Sequence, residues 1–277
     1  VTASPLDQLD GLRAEAEAIV GEMRRMGRLV VAFSGGVDSS VVAALAYRAL
    51  GDDALAVTAV SETLPDRELE EARTVADEIG IGHEEMGFSE LDDPQFRANT
   101  SARCFFCQSM RFEQLRQIAD RIDCEVLASG TNASDQGDHR PGLEAMDQQG
   151  VYQPLMKYDI DKEGVRLLAR ELDLSVWNKP AKACLSSRIP HGNEVTERRL
   201  RRIERAEDVL ADRGFRQYRV RDHGETARIE VGPEELDRLL EPDRLRRIAA
   251  AVRDAGYDEV LVDLEGYRSG SLNPVDD

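Results

Sequence analysis

The sequence predicts an α/β fold, a parallel sheet with helices on both faces, followed by a smaller α+β domain. Three observations carry this. Short β-branched runs alternate with longer helical patterns through the first half, as in strand–helix–strand units. The first strand enters a tight Gly-Gly turn that opens a helix. Beyond Thr196 the order changes to a charged helix, two alternating strands, more helix and a last strand.

Residues 8–26 alternate Leu, Ala, Ile and Met with acids and arginines at helical spacing, an amphipathic first helix. Leu29 to Phe33 is short, β-branched and aromatic, a buried strand. Val41 to Leu50 is apolar on nearly all sides and reads as a helix, with Ser39 or Ser40 as its cap. Asp53 to Ser61 is a second strand, Pro65 to Gly80 a charged helix and GHEEMGF a short third strand. A helix over 109–122 and a fourth strand, Cys124 to Gly130, follow. The expected domains are 1–190 and 195–277, meeting near Pro190 to Val195. In the second, Glu197 to Arg213 is a helix, RQYRVRDH and TARIEV are strands, and EVLVDLE closes the pattern.

The net charge of −18 argues against wrapping a nucleic-acid backbone, although an acidic, lysine-poor composition is also what salt adaptation produces. Only Lys157, Lys162, Lys179 and Lys182 are lysines, and two of them lie in NKPAKACLSSR. No apolar run reaches membrane-spanning length, and no segment has the basic start and apolar middle of a signal peptide. The chain is therefore expected in the cytoplasm. Its four cysteines then suggest metal binding or catalysis before disulfides.

Three clusters bear chemistry. In RLVVAFSGGVDSSVVAALAY, a strand, a glycine turn and a helix start point unpaired amide N–H groups outward, an anion site. It lacks the lysine of a GxxxxGK[ST] loop and the third glycine of a dinucleotide fingerprint. ASGTNASDQGDHRPG is a strand end and polar loop, placing Thr131, Asn132, Asp135 and Arg140 at the sheet edge, where a nucleotide and a carboxylate substrate could be oriented. RCFFCQ sets Cys104 and Cys107 in a Cys-x-x-Cys, which suits a metal, a cluster, a redox pair or two buried thiols. Cys184 is flanked by Lys179, Lys182 and Arg188, a setting that favours a thiolate over an inert thiol. Cys124, heading an apolar strand, is assigned to the core.

The SGGVDSS stretch resembles the loop of the PP-loop ATP pyrophosphatases, whose fold is the adenine nucleotide alpha hydrolase type. Together with RCFFC, GTNASDQGDHRPG, WNKPAKACLSSR, RVRDHGETARIEV and VDLEGYRSGSLN, it resembles the LarE family within them. That family comprises ATP-dependent sulfur transferases of nickel-pincer nucleotide synthesis. The resemblance implies adenylation of a carboxylate of pyridinium-3,5-dicarboxylate mononucleotide, then replacement of AMP by sulfur. Two rounds give the dithio ligand that binds nickel for lactate racemase-type enzymes.

On this resemblance Ser34, Gly35, Gly36, Ser39 and Ser40 hold pyrophosphate oxygens, with Ala59, Ser61, Gly130 and Thr131 completing the ATP site. Asp38 holds Mg2+ and, with Cys184, is catalytic. Asn132, Asp135, Arg140, Ser187, Arg188, Glu207, Arg219 and Arg221 face the substrate. Arg219 and Arg221 share a strand face and need an anion between them, either the substrate phosphate or Glu230. Sulfur comes from Cys184 itself, or from a [4Fe-4S] cluster held by Cys104, Cys107 and Cys184, as the Cys-x-x-Cys favours. Gln108 stands where a basic residue is expected in relatives. The resemblance also implies a homo-oligomer, a hexamer in known relatives, with a sulfide donor and a nickel-inserting enzyme as partners. The smaller domain would contribute to the substrate pocket and to self-association. Three alternatives remain open: a tRNA thiolation enzyme with a three-cysteine cluster, an ammonia-using synthetase, and a nucleotide sensor without turnover.

Overall fold

A computed structural model describes residues 5–135 and 141–268, arranged as two compact units. The first comprises residues 1–61, 66–88 and 104–181; the second comprises 62–65, 89–103 and 182–277.

In the first unit, β1 (Leu29–Ala32), β2 (Ala54–Val60), β3 (Gly82–Gly87) and β4 (Val126–Ala128) form a parallel sheet in the order β3-β2-β1-β4. Strand alternation sends Leu29 and Val31 to one face and Val30 to the other, so each face is buried by its own cluster. One face carries α1 (Pro5–Met23), α2 (Val37–Leu50) and α8 (Lys162–Glu171), with Ile19, Val41, Leu45 and Leu168 in its core. α3 (Asp66–Ile79) adds Ala72, Val75 and Ala76 to it. The other face carries α5 (Arg103–Arg121) and α6 (Pro141–Gln148), through Phe112, Leu115, Ile118 and Met146. Cys124 lies in this second cluster, buried as expected. A short α7 (Pro154–Lys157) precedes α8. Among the described residues no helix is long and apolar enough to cross a membrane.

Two helix starts differ from the sequence reading. α2 begins at Val37, with Gly36 rather than Ser39 or Ser40 at its N-cap and no side-chain cap. Gly36 has ordinary extended backbone leading straight into the helix, and both serines fall inside the first turn. α5 begins at Arg103, so Cys104 and Cys107 lie on a helix, one turn apart. The charged and aromatic run around them hid that start.

In the second unit, β5 (Tyr218–His223) pairs antiparallel with β6 (Thr226–Val231), which pairs parallel with β7 (Glu259–Val262). α9 (Glu197–Ala211), α10 (Leu236–Leu239) and α11 (Pro242–Asp254) enclose a core of Leu210, Val220, Ile229, Ile248 and Val252. Thr196 caps α9, its hydroxyl accepting from Arg199 N at 3.4 Å. Residues 89–103, with α4 (Pro94–Arg97), join this unit through Asn99. Its Nδ2 donates to the carbonyls of Ile189, Pro190 and Asn193 at 3.3, 2.9 and 2.8 Å. Arg103 Nη1 donates to Asn99 Oδ1 at 2.5 Å and to the Ser186 carbonyl at 2.9 Å.

Candidate functional site

The glycine turn closes the carboxyl end of β1. Gly35 has φ +64°, and a Cβ there would stand 2.6 Å from Ala72 Cα, so the loop is pressed onto α3. Ser34 and Ser39 hydroxyls meet at 3.1 Å, Ser39 Oγ lies 3.2 Å from the Gly36 carbonyl, and Gly36 N donates to Ser34 Oγ at 3.4 Å. Ser40 is fully buried, and its hydroxyl has no hydrogen-bond partner among the described residues. A buried hydroxyl without a partner is costly unless a ligand completes it. Beside the free amides of a fourteen-residue helix, it fits a phosphate oxygen.

Asp38 sits in the first turn of α2. Its Oδ1 accepts from Asn132 Nδ2 at 3.0 Å, and its Oδ2 pairs with Lys162, the first residue of α8. Each carboxylate oxygen keeps a lone pair for a hard cation, so Asp38 fits one ligand position of Mg2+, with phosphate and water supplying the rest. The turn after β4 is packed onto this helix start. A Cβ on Gly130 would lie 2.5 Å from Ser39 N and 2.8 Å from the Asp38 carbonyl carbon. Thr131 Oγ1 meets Ser129 Oγ at 3.0 Å, and Asp135 Oδ2 accepts from Asn132 N at 3.2 Å. Ala59 and Ser61, at the end of β2, are half-buried. Arg140 lies outside the described residues.

The structure thus brings the loop, Asp38, Gly130, Thr131, Asn132 and Asp135 together at one edge of the sheet, the end at which open α/β sheets bind ligands. Sequence reasoning left Lys162 without a role. Its rarity as one of four lysines, just after the Asp161 helix cap, was the available signal.

Cys104 is exposed and Cys107 buried, with Arg111 Nη2 3.6 Å from the Cys107 sulfur. Two thiols one helical turn apart can serve one metal or cluster. Among the described residues no group of three or more His, Cys, Asp or Glu is gathered to hold a metal ion. By itself the pair offers two thiol groups on one helix face.

In the second unit, Cys184 precedes a short 3-10 turn over Leu185–Arg188, its sulfur 3.1 Å from Ser186 Oγ. The lysines that flank it in sequence have other partners, while Arg188 interacts with Cys184 both by charge and through its carbonyl. Lys182 Nζ lies 5.7 Å from the Tyr218 ring centroid. In the first unit, Lys179 pairs with Glu68 and Glu71. Arg188 is 1% exposed and donates from Nε and Nη2 to Glu207 at 2.8 and 2.9 Å. Its Nη1 donates to the carbonyls of Ala183 and Cys184 and to Ser187 Oγ. Burial pushes the Glu207 carboxyl up, but the Arg188 guanidinium outweighs it and holds it below the usual carboxylate range. Burial likewise opposes the Arg188 charge, and Glu207 more than restores it.

Of the two strand arginines, Arg221 Nε donates to Glu230 Oε2 at 2.9 Å, while Arg228 takes the other oxygen at 2.9 Å. The protein's own carboxylate therefore faces Arg221. Arg219 is buried, donates to the Tyr218 carbonyl at 2.6 Å and lies 5.0 Å from the Tyr267 ring centroid. Burial, with the cation of Arg188 nearby, pulls its guanidinium below its ordinary value. Arg188, Arg219, Arg221 and Arg228 stand against Glu207, Glu230 and Asp263, so this side-chain cluster carries more cations than carboxylates.

Residues 13–100 match the asparagine synthase family. The pyridinium-3,5-bisthiocarboxylic acid mononucleotide synthase of Lactiplantibacillus plantarum is 34% identical over 264 residues, 95% of each chain. The chain belongs to the LarE family. An uncharacterized protein of Synechocystis is 41% identical over 250 residues, 90% of this chain and 93% of its own. A tRNA-specific 2-thiouridylase of Rhizorhabdus wittichii is 31% identical, over 87% of this chain and 77% of its own. At 95% coverage the LarE match spans both units.

Proposed function

We propose that this LarE-family chain is an ATP-dependent sulfur transferase that converts the carboxylates of pyridinium-3,5-dicarboxylate mononucleotide to thiocarboxylates. One observation carries the reading: a phosphate cradle with an unsatisfied buried Ser40 hydroxyl, in a chain matching such a synthase over 95% of its length.

A carboxylate is a poor electrophile because its leaving group would be oxide. A carboxylate oxygen therefore attacks the α-phosphorus of ATP, and pyrophosphate leaves. The loop amides, Ser39, Ser40 and the helix dipole hold the pyrophosphate charge, and Asp38 would hold a Mg2+, which would supply further positive charge there. Ala59, Ser61, Gly130 and Thr131 line the nucleotide, while Asn132, Asp135 and Arg140 orient the reacting carboxylate. The cationic cluster of Arg188, Arg219 and Arg221, with Ser187 and Glu207 beside it, suits the substrate phosphate. Sulfur then attacks the acyl carbon and AMP leaves.

Two sources of sulfur fit the cysteines. If Cys184 is the donor, its sulfur forms a thioester. Loss of the Cys184 α-proton then breaks the Cβ–S bond, leaving dehydroalanine and a thiocarboxylate. A [4Fe-4S] cluster on Cys104, Cys107 and Cys184 would instead present an open iron for an added sulfide.

Pyrophosphate release from ATP should require the pyridinium dicarboxylate nucleotide; release without it, or none with it, refutes the reading. Iron and sulfide analysis of anaerobic protein, with mass spectrometry after turnover, separates the sources. About four irons per chain supports the cluster. No iron, with loss of one hydrogen sulfide from Cys184, supports the sacrificial route. The 2-thiouridylase match favours a second reading, tRNA thiolation, which a low-salt gel shift with tRNA would reveal.

A further inference from the structure

Lys179 belongs to the lysine-bearing stretch NKPAKACLSSR but has no part in the chemistry above. Its side chain is only 10% exposed, and its ammonium sits behind the phosphate loop. It lies 2.8 Å from Glu68 Oε2 and 2.5 Å from Glu71 Oε2, both on α3, and 3.3 Å from the carbonyl of Gly35. Glu68 is itself 9% exposed in its side chain. Two carboxylates thus stand one ammonium away from the loop that the proposed function loads with a pyrophosphate.

That arrangement is electrostatically costly without its centre. Without Lys179, the buried charge of Glu68, with half-exposed Glu71 beside it, would face an incoming polyanion with no cation between, and screening is weak at the buried partner. The Gly35 carbonyl would also lose a donor beside the amides that must turn to the phosphate. The loop has little freedom to adjust, since Gly35 already rests on Ala72.

We propose that Lys179 is a positioning residue of the phosphate loop: its ammonium stands between the loop and Glu68 and Glu71, offsets part of their charge and holds the Gly35 carbonyl so that pyrophosphate can bind. It acts through the loop and the two acids rather than on the reacting atoms. The inference rests on the nucleotide-binding part of the proposed function and needs neither sulfur nor the pyridinium substrate for its test.

The experiment is calorimetric binding of inorganic pyrophosphate and of Mg·ATP to the full chain, with folding checked by circular dichroism. Lys179→Met should weaken both ligands by ~10-fold or more, the loss expected from unmasking two carboxylates beside an anion. Adding Glu68→Gln and Glu71→Gln to that variant should restore most of the affinity. A merely structural lysine gives no such rescue. Glu68→Gln with Glu71→Gln, Lys179 intact, should bind pyrophosphate at least as tightly as wild type, and this arm holds even if Lys179→Met fails to fold. Lys179→Met binding within twofold of wild type, a triple variant as weak as Lys179→Met, or weaker binding by the double glutamine variant overturns the inference. Wild-type protein that binds neither ligand overturns the nucleotide reading as well. Wild-type binding with no dependence on Lys179 overturns this inference alone.

Discussion

The Arg188–Glu207 pair gives the most quantitative test of how the second unit is held. Glu207→Gln keeps the side-chain shape but leaves a guanidinium that is 1% exposed facing a neutral amide. Breaking one partner of a buried ion pair costs about 3–5 kcal/mol, because the remaining charge is stranded. At ~2–4 °C per kcal/mol for a chain of this size, the melting temperature should fall by roughly 6–20 °C. Thermal unfolding by circular dichroism measures it. Arg188→Met alone should also destabilise, since the Ala183 and Cys184 carbonyls lose their donor. The double variant should lose clearly less than the sum of the singles, by ~2 kcal/mol or more. pH supplies an independent check. Glu207 is held below its ordinary value of 4.5, so its contribution is present above that value and lost as pH falls through the lower folded value. The gap between wild type and Glu207→Gln should therefore be constant above about pH 5.5 and shrink below it. A loss under ~1 kcal/mol, additive singles, or a gap that widens in acid would refute the reasoning.

Three further outcomes follow from the first unit and the cysteines. Gly130→Ala puts a methyl 2.5 Å from Ser39 N, against backbone, so it should cost about 1–3 kcal/mol of stability and weaken ATP binding, measured by urea unfolding and calorimetry. Lys162→Met should weaken Mg·ATP binding by ~10-fold, whereas Asp38→Asn should remove the Mg2+ dependence of ATP binding; titrations with and without Mg2+ decide. Cys124→Ala should leave pyrophosphate release unchanged and cost about 1 kcal/mol, while Cys184→Ala should abolish thiocarboxylate formation, read by mass spectrometry of the product.

Much of the architecture was legible because it is written in local patterns. Short apolar runs with β-branched residues marked β1, β2 and β4, GHEEMGF was read as the third strand, and alternation after Thr196 marked β5 and β6. The loop and its partners at the sheet edge could be read because glycine, serine and aspartate at that spacing leave few other structures open. What escaped were facts of long-range geometry. The start of α5 was missed because Cys104, Phe105 and Phe106 do not show helical amphipathicity. Lys162 and Lys179 were visible as rare residues, but nothing local indicates that one would find Asp38 and the other Glu68 and Glu71. Nor does the spacing of Arg219 and Arg221 reveal that Glu230 takes Arg221 while Arg219 lies against Tyr267.

The Asn99 hub has a consequence for synthesis. Asn99 and Arg103 are made long before the carbonyls they bind, with 83 residues separating Arg103 from Ser186. At ~5–20 residues per second, this segment waits roughly 4–17 s on the ribosome before its acceptors emerge. Throughout that interval Asn99, fully buried in the finished protein, lacks the Ile189, Pro190 and Asn193 carbonyls that it binds. Chaperone capture of stalled nascent chains should therefore peak at lengths between these two points and fall once the chain has passed Val195.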